Sequence, residues 1–221
     1  MHYIPISLPF FLALFFLVCL VAFIKIRILQ YAYERIGIDR RYLFALLIFS
    51  LLGSYVNIPV AELLAERVYS GEMVTFFGIQ YVIPLVINWP KTVLAINLGG
   101  AVVPTILSIY LIVKNKQYGN SLLAVSIVAF IVHLLAHPVA GLGIAVPIFI
   151  PPLASASVAL LLSREHVASL AYVSGSLGTL IGADLLNLDK IQGLGAPIAS
   201  IGGAGTFDGI FMTGILAVLL T

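Results

Sequence analysis

Runs of about twenty apolar residues, separated by short clusters of charge, constrain this chain more than any other feature. A hydrocarbon slab of ~30 Å demands that length of an α-helix rising 1.5 Å per residue. Seven such runs stand out, over 6–28, 42–64, 92–113, 121–136, 141–162, 167–188 and 198–220. Only 9% of the 221 residues are charged and 62% are hydrophobic, whereas a soluble domain carries about 25% charge. The fold class predicted is all-α: a polytopic bundle of about seven transmembrane helices. It forms a single integral membrane domain over 1–221, with the lipid bilayer as its principal partner.

Two stretches depart from that pattern. Between 66 and 91, β-branched and aromatic residues flank Phe77-Gly78. This predicts a small outer β-hairpin near 70–90 with Trp89 as an interfacial anchor, or a re-entrant segment in its place. The fifth run contains Pro147, Pro151 and Pro152, which predicts kinked or irregular backbone packed against protein or a wet cavity.

Charge placement sets orientation. Lys25, Arg27, Arg35, Arg40, Arg41, Lys114, Lys116 and Arg164 fall in alternate loops, leaving Arg67, Lys91 and Lys190 for the other side. The positive-inside rule then puts the protein in the cell membrane with its N-terminus outside and C-terminus cytoplasmic. The first run has no basic segment ahead of it and no small-residue cleavage pattern, so a retained span is expected rather than a signal peptide. The lone Cys19 cannot form an intrachain disulfide. Basic patches with interleaved aromatics are missing, so nucleic acid is not an expected partner. A homo-oligomer is left open.

Short segments recur. Asn97-Leu-Gly-Gly-Ala101 resembles Ser200-Ile-Gly-Gly-Ala204, and Leu51-Leu-Gly-Ser-Tyr55 resembles Leu180-Ile-Gly-Ala-Asp184. The matches predict a parallel 3+1+3 repeat, 6–113 and 141–220, with 121–136 as the linker helix. Parallel repeats about an axis along the membrane normal are a transporter architecture.

Asp184 and Asp208 lie in the last two apolar runs, and ionisable groups there are functional hypotheses by default. Burial disfavours a charged carboxylate unless a cation or donor sits beside it. Two close carboxyls share one proton or bind a cation. Asn187 and Thr206 accompany them as candidate ligand-binding residues. The bland alternative is that each carboxyl bonds backbone freed by nearby glycines.

His133 and His137, at i and i+4, have a spacing that suits two metal ligands. The zinc-protease glutamate is absent from His-Leu-Leu-Ala-His, and an interfacial or helix-contact role is the stronger reading. No cofactor is expected beyond a bound cation. Ala171, Gly175, Gly178 and Gly182 form one small face, a close-packing stripe. Asn57 and Asn97 fit interhelical hydrogen bonds, and Glu62 and Glu66 a solvated face.

The segments GSYVNIP, NLGGAVVP, IPPL and IGADLLNL…GAPIASIGGAGTFDGIFMTGILAVLL resemble a prokaryotic membrane family, the domain-of-unknown-function family numbered 1614. The resemblance runs from Tyr42 onward and implies a polytopic membrane protein without assigning an activity. A looser resemblance is to intramembrane aspartyl proteases, whose second aspartate lies in Gly-x-Gly-Asp. Here Thr206-Phe207 intervene before Asp208, Ala183 replaces the tyrosine before Asp184, and the Pro-Ala-Leu motif is missing.

The function expected is therefore transporter-like, for a small ion or solute, with a carboxylate site in the last two helices. The alternatives are an intramembrane diaspartyl hydrolase, with Asp184 and Asp208 catalytic, and a non-catalytic membrane assembly factor.

Overall fold

The computed structural model describes residues 8–64, 73–76, 79–82, 91–139, 143–191, 198–203 and 209–221. It is mostly helical. The α-helices are α1 (Leu8–Arg35), α2 (Arg40–Gly53), α3 (Val103–Asn115), α4 (Tyr118–Leu135), α5 (Ile150–Leu162), α6 (Val167–Thr179) and α7 (Gly209–Leu219). Four helical stretches are long and apolar enough to cross a membrane: Leu14–Arg35, Leu98–Asn115, Tyr118–Leu135 and Val167–Lys190. The helices Arg41–Gly53, Ile150–Leu162 and Gly209–Leu219 are shorter.

The shortening has local causes. The second apolar run is helical only to Gly53 and continues as strand β1 (Asn57–Leu64). Pro59 cannot donate to a helix interior. It is accommodated beside an irregularity in the strand register between Pro59 and Ala61, where proline is tolerated. The third run begins as strand β4 (Lys91–Asn97), passes through a π-helical turn at Leu98–Val102 and only then enters α3. The last run begins as strand β7 (Ile198–Ile201), and the Gly202-Gly203 turn follows it with φ +88° and +75°. Glycine adopts that left-handed backbone without a Cβ clash.

The prolines of the fifth run do not kink a helix. Pro151 and Pro152 occupy the first turn of α5, where the missing N–H would have had no partner anyway. Pro147 lies ahead of that helix.

Near 70–90 a hairpin forms: β2 (Met73–Phe76) pairs antiparallel with β3 (Ile79–Val82), Phe76 opposite Ile79. Trp89 lies outside the described residues. Strands β5 (His137–Val139) and β6 (Gly143–Ala145) make a second hairpin between α4 and α5. The main sheet has the order β1-β4-β7. Asn57 faces Asn97 in the antiparallel β1–β4 ladder, and β7 runs parallel to β4 with Ala95 opposite Ser200.

Helix α6 is the hub and packs against α3, α4, α5 and α7. Nearly every residue from Ser169 to Thr179 is buried. Its small residues let neighbours approach closely. A Cβ on Gly178 would lie 2.6 Å from a Val128 methyl, and one on Gly182 2.4 Å from the Ala129 carbonyl oxygen. Among the described residues, Tyr33, Ile36, Leu107, Leu111, Tyr172, Phe211 and Ile215 belong to the largest buried cluster, which joins α1, α3, α6 and α7.

Candidate functional site

The polar groups collect where helices give way to extended chain. Past Thr179, α6 opens into a π-helical turn at Leu180–Asp184 and then a 3-10 stretch at Leu185–Lys190. Within that stretch Asn187 leaves helical geometry, at φ −121° and ψ 18°. Asp184 and Asn187 therefore do not lie on one continuous helical face. Single π turns inside helices concentrate at functional positions, and here Asp184 is the last residue of one.

The half-buried Asp184 carboxylate accepts the backbone N–H of Gly202 at 2.7 Å. A charge-assisted bond of this kind is roughly twice as strong as a neutral one. It ties the unwound end of α6 to the glycine turn after β7. That turn is wedged in place, because a Cβ on Gly202 would meet the backbone nitrogen of Ala101 at 2.6 Å. Ala101 belongs to the π turn ahead of α3. The two π turns and the glycine turn thus meet, with Ala101, Leu180, Ile201 and Ile210 as the apolar floor.

Asn187 is fully buried and donates both amide hydrogens to backbone carbonyls, of Gly182 and Ala183, at 2.9 Å each. Those carbonyls belong to the π turn, whose altered pairing leaves acceptors to be satisfied. Its oxygen accepts from Lys190 Nζ at 2.8 Å. Asn187 thus holds the unwound segment in shape. Thr206 and Asp208 lie outside the described residues; in the chain, Asp208 directly precedes Gly209, the first residue of α7.

A second polar group supports the first. Asn97 donates to the Ser54 carbonyl at 2.7 Å and to Asn57 Oδ1 at 3.0 Å, while its own oxygen accepts Gly100 N–H at 2.8 Å. Ser200 Oγ lies 2.6 Å from both Asn57 Oδ1 and the Gly203 carbonyl. A hydroxyl has one hydrogen, so these two acceptors share it. All three strands are cross-linked where they enter the glycine-rich turns. Asn57 and Asn97 therefore bond strand to strand, not helix to helix. Sequence reasoning missed Ser200 and Lys190. Ser200 was visible only as the counterpart of Asn97 in the repeated motif, and Lys190 only through its i+3 spacing from Asn187.

His133 and His137 do not share a helical face. Helix α4 ends at Leu135, Ala136 is extended and His137 opens β5. Among the described residues, His133 Nδ1 is buried without a hydrogen-bond partner. Among the described residues, no group of three histidine, cysteine or acidic side chains is placed to hold a metal ion. Glu62 pairs with Lys91 across β1 and β4 at 2.8 Å, both side chains exposed. The bonded carboxylate raises the Lys91 pKa.

The family model for a protein of unknown function (DUF1614) matches residues 51–220. The chain belongs to the DUF1614 family. The match takes in the three-stranded sheet, both π turns and α3 to α7, so the polar junction lies wholly within the family's own region. Neither a curated protein nor a solved structure matches the chain.

Proposed function

We propose that this DUF1614 member is a transporter-like membrane protein for a small ion or solute, with its site at the Asp184 junction. One observation carries the reading. Asp184 ends the π turn where α6 unwinds, and it is bonded to the turn that leads, six residues on, to Asp208. Discontinuous helices around a carboxylate are how transporters assemble coupling-ion sites. The open sheet points the same way. Exposed strand edges are not tolerated against hydrocarbon, so β1 and β7 require water or protein beside them. In this reading Asp208 binds the coupling proton or cation and Asp184 modulates it through the turn.

The parallel repeat belongs to the same proposal. β4 and β7 run parallel, and in the chain each is followed by a glycine pair and then a helix. The cytoplasmic C-terminus and outer N-terminus are likewise proposed from loop charge.

The test is cation- and pH-dependent thermal stabilisation of the purified protein, together with flux in proteoliposomes. Wild-type protein is expected to respond, and Asp208→Asn and Asp184→Asn to lose or weaken the response. A wild-type protein stabilised by no cation and carrying no flux would overturn the proposal. The bond between the Asp184 carboxylate and the approach to Asp208 also favours the diaspartyl hydrolase as a second reading, in which two carboxyls share one proton. Cleavage of a helical reporter substrate, lost in either variant, would replace transport with hydrolysis.

A further inference from the structure

Unpaired hydroxyls collect in the interior of the bundle. Among the described residues, Tyr33 Oη, Ser108 Oγ, Ser176 Oγ and Thr179 Oγ1 are buried and have no hydrogen-bond partner. Each of these residues is at most 5% exposed. A helical serine or threonine can bond a carbonyl three or four residues back, as Ser174 does to Ala171 and Ser155 to Pro151. These hydroxyls do not. A buried polar group left unpaired costs about 1–3 kcal/mol, so several in one region call for a partner.

They are ordered along α6. Tyr172, Ser176 and Thr179 stand at i, i+4 and i+7, hence on one helical face. Ser176 Oγ lies beside the Tyr172 hydroxyl without closing a hydrogen bond. The Tyr33 ring, in the last turn of α1, is 6.5 Å from that of Tyr172. Ser108 follows Leu107, which packs in the same cluster as Tyr172. Gly214 of α7 closes the row, because a Cβ there would run into Ser176 Oγ and lie 3.1 Å from the Tyr172 ring. Thr179 caps the π turn that ends at Asp184, without a side-chain cap bond. At the other end, Tyr33 is two residues from Arg35, and Lys114 Nζ donates to the Gly37 carbonyl. The row thus joins the Asp184 junction to the lysine- and arginine-bearing end of the bundle.

We propose that this row is a proton path, in which buried waters link the hydroxyls between the Asp184 junction and that end. It rests on the transport reading and names the proton as the ion moved. Ser176 and Thr179 are about 4.5 Å apart along the helix axis, and one water bonded to two hydroxyls spans up to about 5.6 Å. A serine, threonine or tyrosine hydroxyl both donates and accepts. Each link accepts a proton from the water on one side and releases its own to the water on the other, so no charge stays on the hydroxyl. Polar side chains facing a bundle interior mark ion pathways and proton relays.

The test follows proton entry into proteoliposomes carrying the full chain, with a pH-sensitive dye inside and a pH step as the drive. Wild-type protein is expected to pass protons. Tyr33→Phe, Ser176→Ala and Thr179→Val each delete one hydroxyl and little else. Each is expected to slow the flux about ten-fold, the rate equivalent of one hydrogen-bonded link. Thr179→Ser keeps the hydroxyl and must keep the flux. So must Ser174→Ala, whose hydroxyl is bonded to the Ala171 carbonyl on the opposite face of α6. Wild-type flux in the three deletions overturns the proposal, and so does an equal slowing by Ser174→Ala. Melting in detergent is the second readout. Loss of a water-linked hydroxyl lowers the melting temperature, whereas loss of a dry, unpaired one raises it, so a Thr179→Val protein that melts above wild type also overturns the proposal. Wild-type protein that carries a metal cation or a solute but no protons overturns the proton path and leaves transport standing. Flux of no kind overturns both.

Discussion

Gly182→Ala tests the central packing of the bundle. The added Cβ would fall 2.4 Å from the Ala129 carbonyl oxygen, 2.9 Å from Val132 Cβ and 3.0 Å from the Ala129 carbonyl carbon. Ordinary C···O approaches are about 3.3 Å or longer, so α4 and the π turn that continues α6 must separate by roughly 1 Å. Two of those three neighbours are backbone atoms, which cannot rotate away. A gap of that size forfeits a quarter to a half of each dispersion contact along the seam, and overpacking of this kind costs about 1–3 kcal/mol. Alanine recovers at most about 1 kcal/mol through its helix propensity, and less within a π turn. The net expectation is a loss of about 2 kcal/mol, or a melting temperature lower by about 4–8 °C for a chain of this size. Thermal unfolding in detergent, followed by scanning fluorimetry, measures it. Gly119→Ala in α4 is the control, because nothing lies within 4 Å of its added Cβ; it should melt within about 2 °C of wild type. A Gly182→Ala protein that melts at or above the wild-type temperature would refute the close α4–α6 seam.

Asn97→Ala removes three hydrogen bonds and strands the Gly100 N–H and Ser54 carbonyl. At about 1–3 kcal/mol for each stranded group, the melting temperature should fall by roughly 6 °C or more, whereas Asn57→Ala, which leaves the Gly100 bond intact, should cost less. Gly202→Ala combines a left-handed backbone with a 2.6 Å contact to Ala101, and should lower stability by about 2 kcal/mol or more while weakening the Asp184 bond to the turn; a neutral result in the same melt would argue against that turn. The Glu62–Lys91 pair raises the lysine pKa, so its stabilisation is present below the ordinary lysine value and fades as pH rises through the raised one. Both groups are exposed, so Glu62→Gln should scarcely move the melting temperature at neutral pH, and any difference from wild type should shrink further at strongly alkaline pH. Reporters fused to the C-terminus should read as cytoplasmic in intact cells, and an external reading would reverse the proposed orientation.

The sequence by itself determined that the chain carries helices apolar enough for a bilayer, and much of the helix inventory. Long apolar runs favour helices, since backbone groups in hydrocarbon must be paired internally, and four helical stretches are long and apolar enough to cross a membrane. Each of the seven runs contains an α-helix, and the β-branched and aromatic residues flanking Phe77-Gly78 form a hairpin. The small-residue face of the sixth run reads directly as close packing, because the absence of side chains is itself the signal.

Tertiary structure decided where those runs stop being helical. Hydropathy cannot separate an apolar strand from an apolar helix, so β1, β4 and β7 were hidden inside the second, third and seventh runs. Asn57, Asn97 and Ser200 are far apart in the chain, and their shared hydrogen bonds depend on the antiparallel β1–β4 and parallel β4–β7 pairings, which local sequence does not encode. Asp184 stood out from sequence alone, because a carboxyl in an apolar run is conspicuous. Its partner, the backbone N–H of Gly202, did not, because a main-chain donor carries no letter of its own and is placed only when the chain folds.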